Sequence, residues 1–320
     1  MLIYATRRLL SAIPLMIAAT SLVFVLTSLG GNPVAARLAT CTTCDPSAYQ
    51  RLIDLYELDL PVYPQRYLSW LGDFVTGDLG VAISQGERPV AEIILERGVN
   101  TLYLAVPAFF LIAITALVLG VFSAVKQYSV GDYVVTGFSF FGISMPTFFF
   151  GLLLQAMVIW YLNATGNKFF FTSGMDRSTF VSYIQHATLP IITLSLISVA
   201  GESRFQRAAT LEILNSDYIR TARAKGLPER TVIFKHALRN ALIPLVTVWA
   251  LDFAALLGGS VITETVFSWP GLGLQFITAL TAQDLDLMMA VTMITIILTV
   301  SFNLMADLLY GVLDPRIRYD

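Results

Sequence analysis

Charge is scarce in this chain: only 13% of its 320 residues are Asp, Glu, Lys or Arg, while 56% are hydrophobic and the mean hydropathy is +0.71. Soluble domains carry about 25% charged residues, so a water-facing globule is excluded and a bilayer becomes the natural solvent. Hydrolytic machinery is missing as well. Neither of the two His lies in an HExxH frame, no GxSxG occurs, and no grouping of acid, base and nucleophile assigns catalysis. There is no Gly-Lys pair anywhere, which excludes a GxxxxGK[ST] phosphate loop and ATP hydrolysis by that route. The two cysteines, Cys41 and Cys44, share one polar loop with the spacing C-T-T-C. They could close a small disulfide, mark a redox motif or carry no role, and with both His remote they offer no metal site.

Long apolar runs are what the chain does have. A hydrocarbon core of about 30 Å takes about 20 residues at 1.5 Å rise each. Six stretches meet that length, roughly 9–29, 100–124, 133–162, 187–203, 241–262 and 288–312. The first follows Arg7 and Arg8 and is trailed by Val34-Ala35-Ala36, a poor cleavage site, so it reads as an uncleaved anchor. Orientation follows from the basic residues, which stay on the cytoplasmic side in short loops. With both termini inside, 13 of the 20 Lys and Arg lie inside; five of the other seven fall in the long loop 30–98, leaving two in short outer loops. That loop holds nine acids and five Arg, and Pro33, Pro46, Pro61, Pro64 and Pro89 cut it into pieces. Its apolar residues, Tyr49, Leu52, Ile53, Leu55, Tyr56, Leu58 and Leu60, then Tyr67, Leu68, Trp70, Leu71 and Phe74, recur at helical spacing. An ordered helical cap resting partly on the membrane surface is expected. Trp160, Tyr161 and Trp269 stand at predicted span boundaries, where aromatic anchors belong.

Three carboxylates fall within or beside the spans: Asp252 near the middle of the fifth, Glu264 at its outer end and Asp307 in the sixth. A mid-bilayer carboxylate costs about 2.5 to 3.5 kcal/mol on insertion scales, so each should face protein or water. Either they line a path and meet a solute ammonium, or they bond to a neighbouring helix or subunit. Pro107, Pro146, Pro190 and Pro244 lie in or at the edge of spans, as hinges or as prolines that membrane helices simply tolerate.

The most informative segment is 202–240, with eight basic and four acidic residues. A helix through Leu211, Ile213, Leu214, Tyr218 and Ile219 runs to Lys225; Gly226 supplies a left-handed stop and Pro228 blocks continuation. A second helix starts near Glu229 and carries Val232, Ile233, Phe234, Ala237 and Leu238 toward the membrane. The expectation is a helical hairpin whose turn bears Arg220, Arg223 and Lys225. An ordinary positive-inside loop needs only a few charges, whereas this one spends nearly forty residues on amphipathic helices. Small Ala222 and Ala224 beside the turn suit insertion into a groove on a cytoplasmic partner.

Asp217-Tyr218-Ile219-Arg220-Thr221-Ala222-Arg223-Ala224-Lys225-Gly226-Leu227, followed by His236-Ala237-Leu238-Arg239-Asn240-Ala241 and Pro244, resembles the EAA loop of the dipeptide and oligopeptide branch of binding-protein-dependent ABC permeases. Further matches follow in order: Gly77-Asp78-Leu79-Gly80, Pro89-Val90 and Arg97; Ser144-Met145-Pro146-Thr147-Phe148 with Gly151; His186 and Leu189-Pro190; Gly258-Gly259 with Glu264; Phe267-Ser268-Trp269-Pro270-Gly271-Leu272-Gly273; and Asp314-Pro315-Arg316-Ile317-Arg318-Tyr319. Together they span about 75–320 and resemble the first of two paired permeases. Arg220 and Thr221 replace Glu and Ala of the general EAA pattern, as is typical of the peptide branch. Gln283-Asp284 departs from the branch's Arg-Asp, and the Gly that follows there is missing.

The resemblance implies an all-α membrane protein with the six transmembrane helices of the type I ABC importer permease fold. Its parts would be a tail and first helix (1–29), an extracytoplasmic helical insertion (30–98), and a core (99–320) with the coupling loop at 204–240. It implies a bacterial inner-membrane location and a non-catalytic role as half of a pathway for di-/oligopeptides or similar solutes. Asp217 to Leu227 would form a coupling helix seated on a cytoplasmic ATPase. Partners would be a second permease, two ATP-binding subunits that hold the ATP and Mg, an extracytoplasmic solute-binding protein and membrane lipid, but no nucleic acid. An ion-gradient-driven transporter or channel subunit is the alternative. It predicts pseudo-symmetric halves, paired broken helices and more midplane ionisable residues, none of which is found. A third reading is a membrane anchor or assembly factor without transport activity.

Overall fold

In a bilayer every backbone amide needs a partner within the protein, so an apolar run has little choice but to become a helix. The computed structural model describes residues 2–29, 50, 53–54 and 57–313. Cys41, Cys44, Tyr49, Leu52, Leu55, Tyr56 and the motif 314–319 lie outside the described residues. In chain order the elements are α1 (Leu2–Leu29), a π-helical turn (Val62–Arg66), α2 (Tyr67–Thr76), β1 (Val81–Ala82), β2 (Arg88–Pro89), α3 (Val90–Val125), α4 (Val130–Ser144), α5 (Thr147–Thr165) and α6 (Phe180–Leu214). After them come α7 (Asp217–Ala224), a helical turn (Glu229–Thr231), a second π-helical turn (Val232–Ala237), α8 (Leu238–Gly259), α9 (Val261–Val266), α10 (Leu272–Thr281) and α11 (Leu285–Leu313).

Among the described residues five helices are long and apolar enough to cross a membrane on their own, within Leu10–Leu29, Val90–Val125, Thr147–Thr165, Phe180–Leu214 and Leu285–Ala306. A sixth crossing results when Glu229–Leu242 and Pro244–Gly258, which meet at 43°, count as one bent span. Helix α3 already begins at Val90, within the segment 30–98 expected as the insertion. One expectation changes. The predicted span 133–162 is not one helix but α4 and α5, broken at Met145-Pro146. Proline has no N–H to donate and pushes the preceding residue out of the helical region; Met145 accordingly sits at φ −89°, ψ 124°. Pro244 marks the bend of the sixth crossing, whereas Pro107 and Pro190 lie inside unbroken α3 and α6.

The chain forms two compact units. The first comprises Thr6–Thr101 and Pro270–Leu298, and its core gathers Phe24, Tyr67, Val90, Ile93, Leu272, Leu287 and Met289. Here the insertion is pinned to α1: the Tyr67 ring meets Phe24 edge-on at 5.6 Å, and its hydroxyl lies 2.9 Å from Thr20 Oγ1. Motifs far apart in sequence meet in this unit. The Pro270 carbonyl accepts from Arg97 Nη1 (3.3 Å) and Asn100 Nδ2 (2.9 Å), and Leu272 N–H donates to Thr101 Oγ1 (2.8 Å). Gly80, at φ +71°, passes so close to α11 that a Cβ there would sit 2.5 Å from Asp286 Oδ2. Buried Asp284 accepts from Ser84 N–H (2.8 Å) and from Leu287 N–H in the first turn of α11 (3.3 Å).

The second unit comprises Met1–Ala5, Leu102–Trp269 and Thr299–Asp320. In it α4 and α5 run antiparallel along α6. Ser139 and Ser203 hydroxyls lie 3.1 Å apart, a Cβ on Gly142 would come within 2.9 Å of Ala200 Cβ, and one on Gly151 within 3.2 Å of Thr193. Small residues at these crossings let backbones approach, which is how helices pack where lipid removes the hydrophobic drive between them. Asp132 is tied to Arg207 by two bonds of 2.9 Å and to the Ser123 hydroxyl. The Arg207 guanidinium is the largest of the causes that hold its carboxyl well below the usual carboxylate range. Trp160 and Tyr161 are exposed as anchors should be, but Trp269 is 0% exposed. It is a core residue rather than the interface anchor expected of it.

Candidate functional site

The segment after α6 folds as the sequence punctuation requires. Asp217 opens α7 and Arg223 stands in its last turn, each complementing the helix dipole. Gly226 adopts φ +75°, a conformation open to glycine at little steric cost, and its N–H donates to the Arg223 carbonyl at 2.9 Å. Pro228 caps the turn Glu229–Thr231, and the π-helical turn Val232–Ala237 leads into α8.

The hairpin has a core of its own. Ile219, Ala222, Val232 and Ala237 are buried together, with Ile213 and Leu214 packed against them. Its two arms are also tied by side-chain bonds. Arg223 donates to both carboxylate oxygens of Glu229, at 2.7 and 3.2 Å, and that bonding raises the guanidinium's already high pKa. Asn240 Nδ2 donates to Tyr218 Oη at 2.8 Å, and Arg220 lies 3.5 Å from Asp217. The outward face carries Asp217, Tyr218, Arg220, Thr221, Arg223, Ala224, Lys225, Gly226 and Leu227, all exposed. Of the two small residues expected to offer close approach, Ala224 is exposed, but Ala222 is 8% exposed and faces inward. Ala222 is small because Val232 and Ala237 stand against it.

The intramembrane carboxyls divide differently from expectation. Glu264 is 0% exposed, and its Oε1 accepts from Ser260 Oγ at 2.9 Å. A carboxyl enclosed in this way braces a turn, which counts against the path-lining role expected of it. Asp252 is half-buried and interacts side chain to side chain with Glu202, the first residue of the charged segment 202–240. Glu202 is 4% exposed, and its Oε2 accepts from Trp249 Nε1 at 2.8 Å. One signal was available: Trp249 and Asp252, three residues apart, share a face of α8. Among the described residues no group of three or more His, Cys, Asp or Glu could hold a metal ion.

With this geometry established, likeness to known proteins is decisive. The profile of the family described as "Binding-protein-dependent transport system inner membrane component" matches residues 116–319. This chain belongs to that family. The oligopeptide transport system permease protein AppB of Bacillus subtilis is 40% identical over 325 residues, covering 99% of both chains. The dipeptide transport system permease protein DppB of Escherichia coli K12 is 36% identical over 340 residues, covering 100% of this chain and 99% of its own. Among solved structures, the inward-facing MetNI methionine ABC transporter superposes with a TM-score of 0.56 at 19% identity, over 71% of this chain and 98% of that one. That likeness supports the type I importer permease fold. The chain is therefore a membrane-spanning, non-catalytic permease subunit of an ABC importer. An ion-gradient transporter and a passive anchor are set aside.

Proposed function

We propose that this subunit forms half of the pathway of an importer for di- and oligopeptides, and that α7 with its turn is the seat of a cytoplasmic ATPase. The observation that carries the proposal is the hairpin: a separately packed, cross-tied unit that presents an exposed, basic, small-residue face. An anchor of topology needs charge but not a core. A part that transmits force needs rigidity, and buried Ile219 and Val232 supply it. In this reading both termini and the hairpin lie in the cytoplasm, and the insertion between α1 and α3 meets an extracytoplasmic solute-binding protein. A second permease completes the pathway, while two ATPase subunits bind the ATP and Mg. Their closure on nucleotide pulls the hairpin and rocks the spanning helices between inward- and outward-facing states, a rigid-body switch. The peptide class rests on relatives matched end to end that are named as peptide permeases.

Asp252, with Glu202 behind it, is the candidate on the pathway for a peptide ammonium. The test is reconstitution of the assembled transporter in vesicles with lumenal ATP and labelled dipeptides, tripeptides and amino acids. Uptake of peptides that needs ATP and is abolished by removing the ATPase subunits is the expected result. Uptake without ATPase, or labelling of a Lys225→Cys variant by an impermeant maleimide on the outside of intact cells, overturns the reading.

A further inference from the structure

Between α4 and α6 lies an open groove of about 460 Å³ that the packing of these helices leaves unfilled. Thr136, Phe140 and Ile143 line it from α4, and Gly201, Arg204 and Phe205 from α6. The spacings i, i+4, i+7 and i, i+3, i+4 put each set on one helix face. A Cβ built on Gly201 would meet nothing within 4 Å, so the glycine leaves free space here and is not forced by a close crossing.

The two arginines beside this groove differ. Arg207 is held by Asp132. Arg204 pairs with no carboxylate among the described residues; its guanidinium lies over the Phe140 ring, 4.5 Å from the centroid, and is exposed. The groove contains no acid, and its rim is apolar: Phe140, Ile143 and Phe205 are all strongly exposed. Because α4 runs antiparallel to α6 with Ser139 opposite Ser203, Thr136 and Arg204 lie toward the α7 end and Ile143 and Gly201 deeper in the span. A cation and a hydroxyl at the end near the basic hairpin, grading into aliphatic surface toward mid-membrane, match the layout of a phospholipid: phosphate outermost, acyl chain inward.

We propose that this groove binds an anionic phospholipid of the cytoplasmic leaflet, its phosphate on the Arg204 guanidinium and the Thr136 hydroxyl, and an acyl chain along Phe140 and Ile143. The inference rests on the cytoplasmic placement of the hairpin proposed above. The test uses the assembled transporter in mild detergent, with native mass spectrometry during titration with phosphatidylglycerol or phosphatidylcholine. Wild type should retain phosphatidylglycerol over phosphatidylcholine, and Arg204→Gln should cut that preference about fivefold, the ordinary worth of one basic side chain at an anionic surface. Gly201→Leu, which fills the groove without touching charge, should cut it as well. Arg177→Gln removes a guanidinium that lies over Tyr103 near the opposite end of α6 and should leave the preference unchanged.

Equal retention by Arg204→Gln and wild type overturns the proposal. So does displacement of the lipid by inorganic phosphate at matched concentration, or a photocrosslink from position 205 that captures the second permease instead of lipid. If an Ala208→Cys variant is labelled from the cell exterior while selective binding persists in detergent, the orientation has failed and the site has not.

Discussion

The contrast between Ala222 and Ala224 puts the hairpin's two faces to the test with one chemical change. Trp at either position adds the same bulk two residues apart, yet the consequences diverge. At 222 the ring enters a packed cluster of Ile219, Val232 and Ala237. Overpacking of that kind costs about 1 to 3 kcal/mol and is drawn from the hairpin's own fold. At 224 the side chain points to solvent, so folding should change by no more than about 0.5 kcal/mol. If an ATPase closes over this face, the same overpacking penalty appears there instead, and about 1 to 3 kcal/mol corresponds to a 5- to 150-fold loss of coupling. Thermal unfolding of the purified subunits, retention of ATPase on a tagged permease, and ATP-driven uptake in proteoliposomes separate the outcomes. Ala222→Trp should lower Tm and lose transport with it; Ala224→Trp should keep Tm and lose ATPase retention and uptake. Full uptake with Ala224→Trp would refute the seating of a partner on this face, and an unchanged Tm with Ala222→Trp would refute the hairpin core.

Gly226→Asn, whose side chain tolerates a left-handed backbone, should keep transport, whereas Gly226→Val forces a β-branched residue to φ +75° at about 1 to 2 kcal/mol and should increase proteolysis of the hairpin. Gly80→Ala should lower Tm, because the new methyl would lie 2.5 Å from Asp286 Oδ2 at φ +71°; adding Asp286→Ala should restore part of the loss, a non-additivity read from the double-mutant cycle. Asp132→Asn leaves Arg207 without its charge partner and should cost about 3 kcal/mol, the low end for a broken buried pair because Arg207 is 27% exposed. Since the folded state depresses this carboxyl's pKa, its contribution is complete above the unfolded value near 3.9 and fades only as pH falls toward the folded one. The difference in Tm between Asp132→Asn and wild type should therefore stay constant from pH 5 to 8; a difference that grows across this window would refute the assignment.

Much of this molecule was legible in one dimension. Hydropathy located the crossings because a span is a property of a contiguous stretch: length and apolarity suffice, and the bilayer supplies the rest. Gly226 and Pro228 announced the turn for a similarly local reason, since φ preference and a missing N–H belong to the residue itself. The linear motifs marked the family, and Asp217 to Leu227 marked the candidate site. What sequence could not decide is which neighbour an apolar or charged residue would find. Hydropathy scores Trp269 and Trp160 alike, yet one is enclosed and the other exposed, because lipid and protein interior are equally dry. Ala222 and Ala224 differ only in what crosses over them, and Val232 arrives from the other arm of the hairpin. Glu202 opens the charged segment 202–240, yet α6 carries it, unbroken, against Trp249 and beside Asp252 on α8. Such pairings are set by helix packing between segments some fifty residues apart, and only the folded chain brings them together.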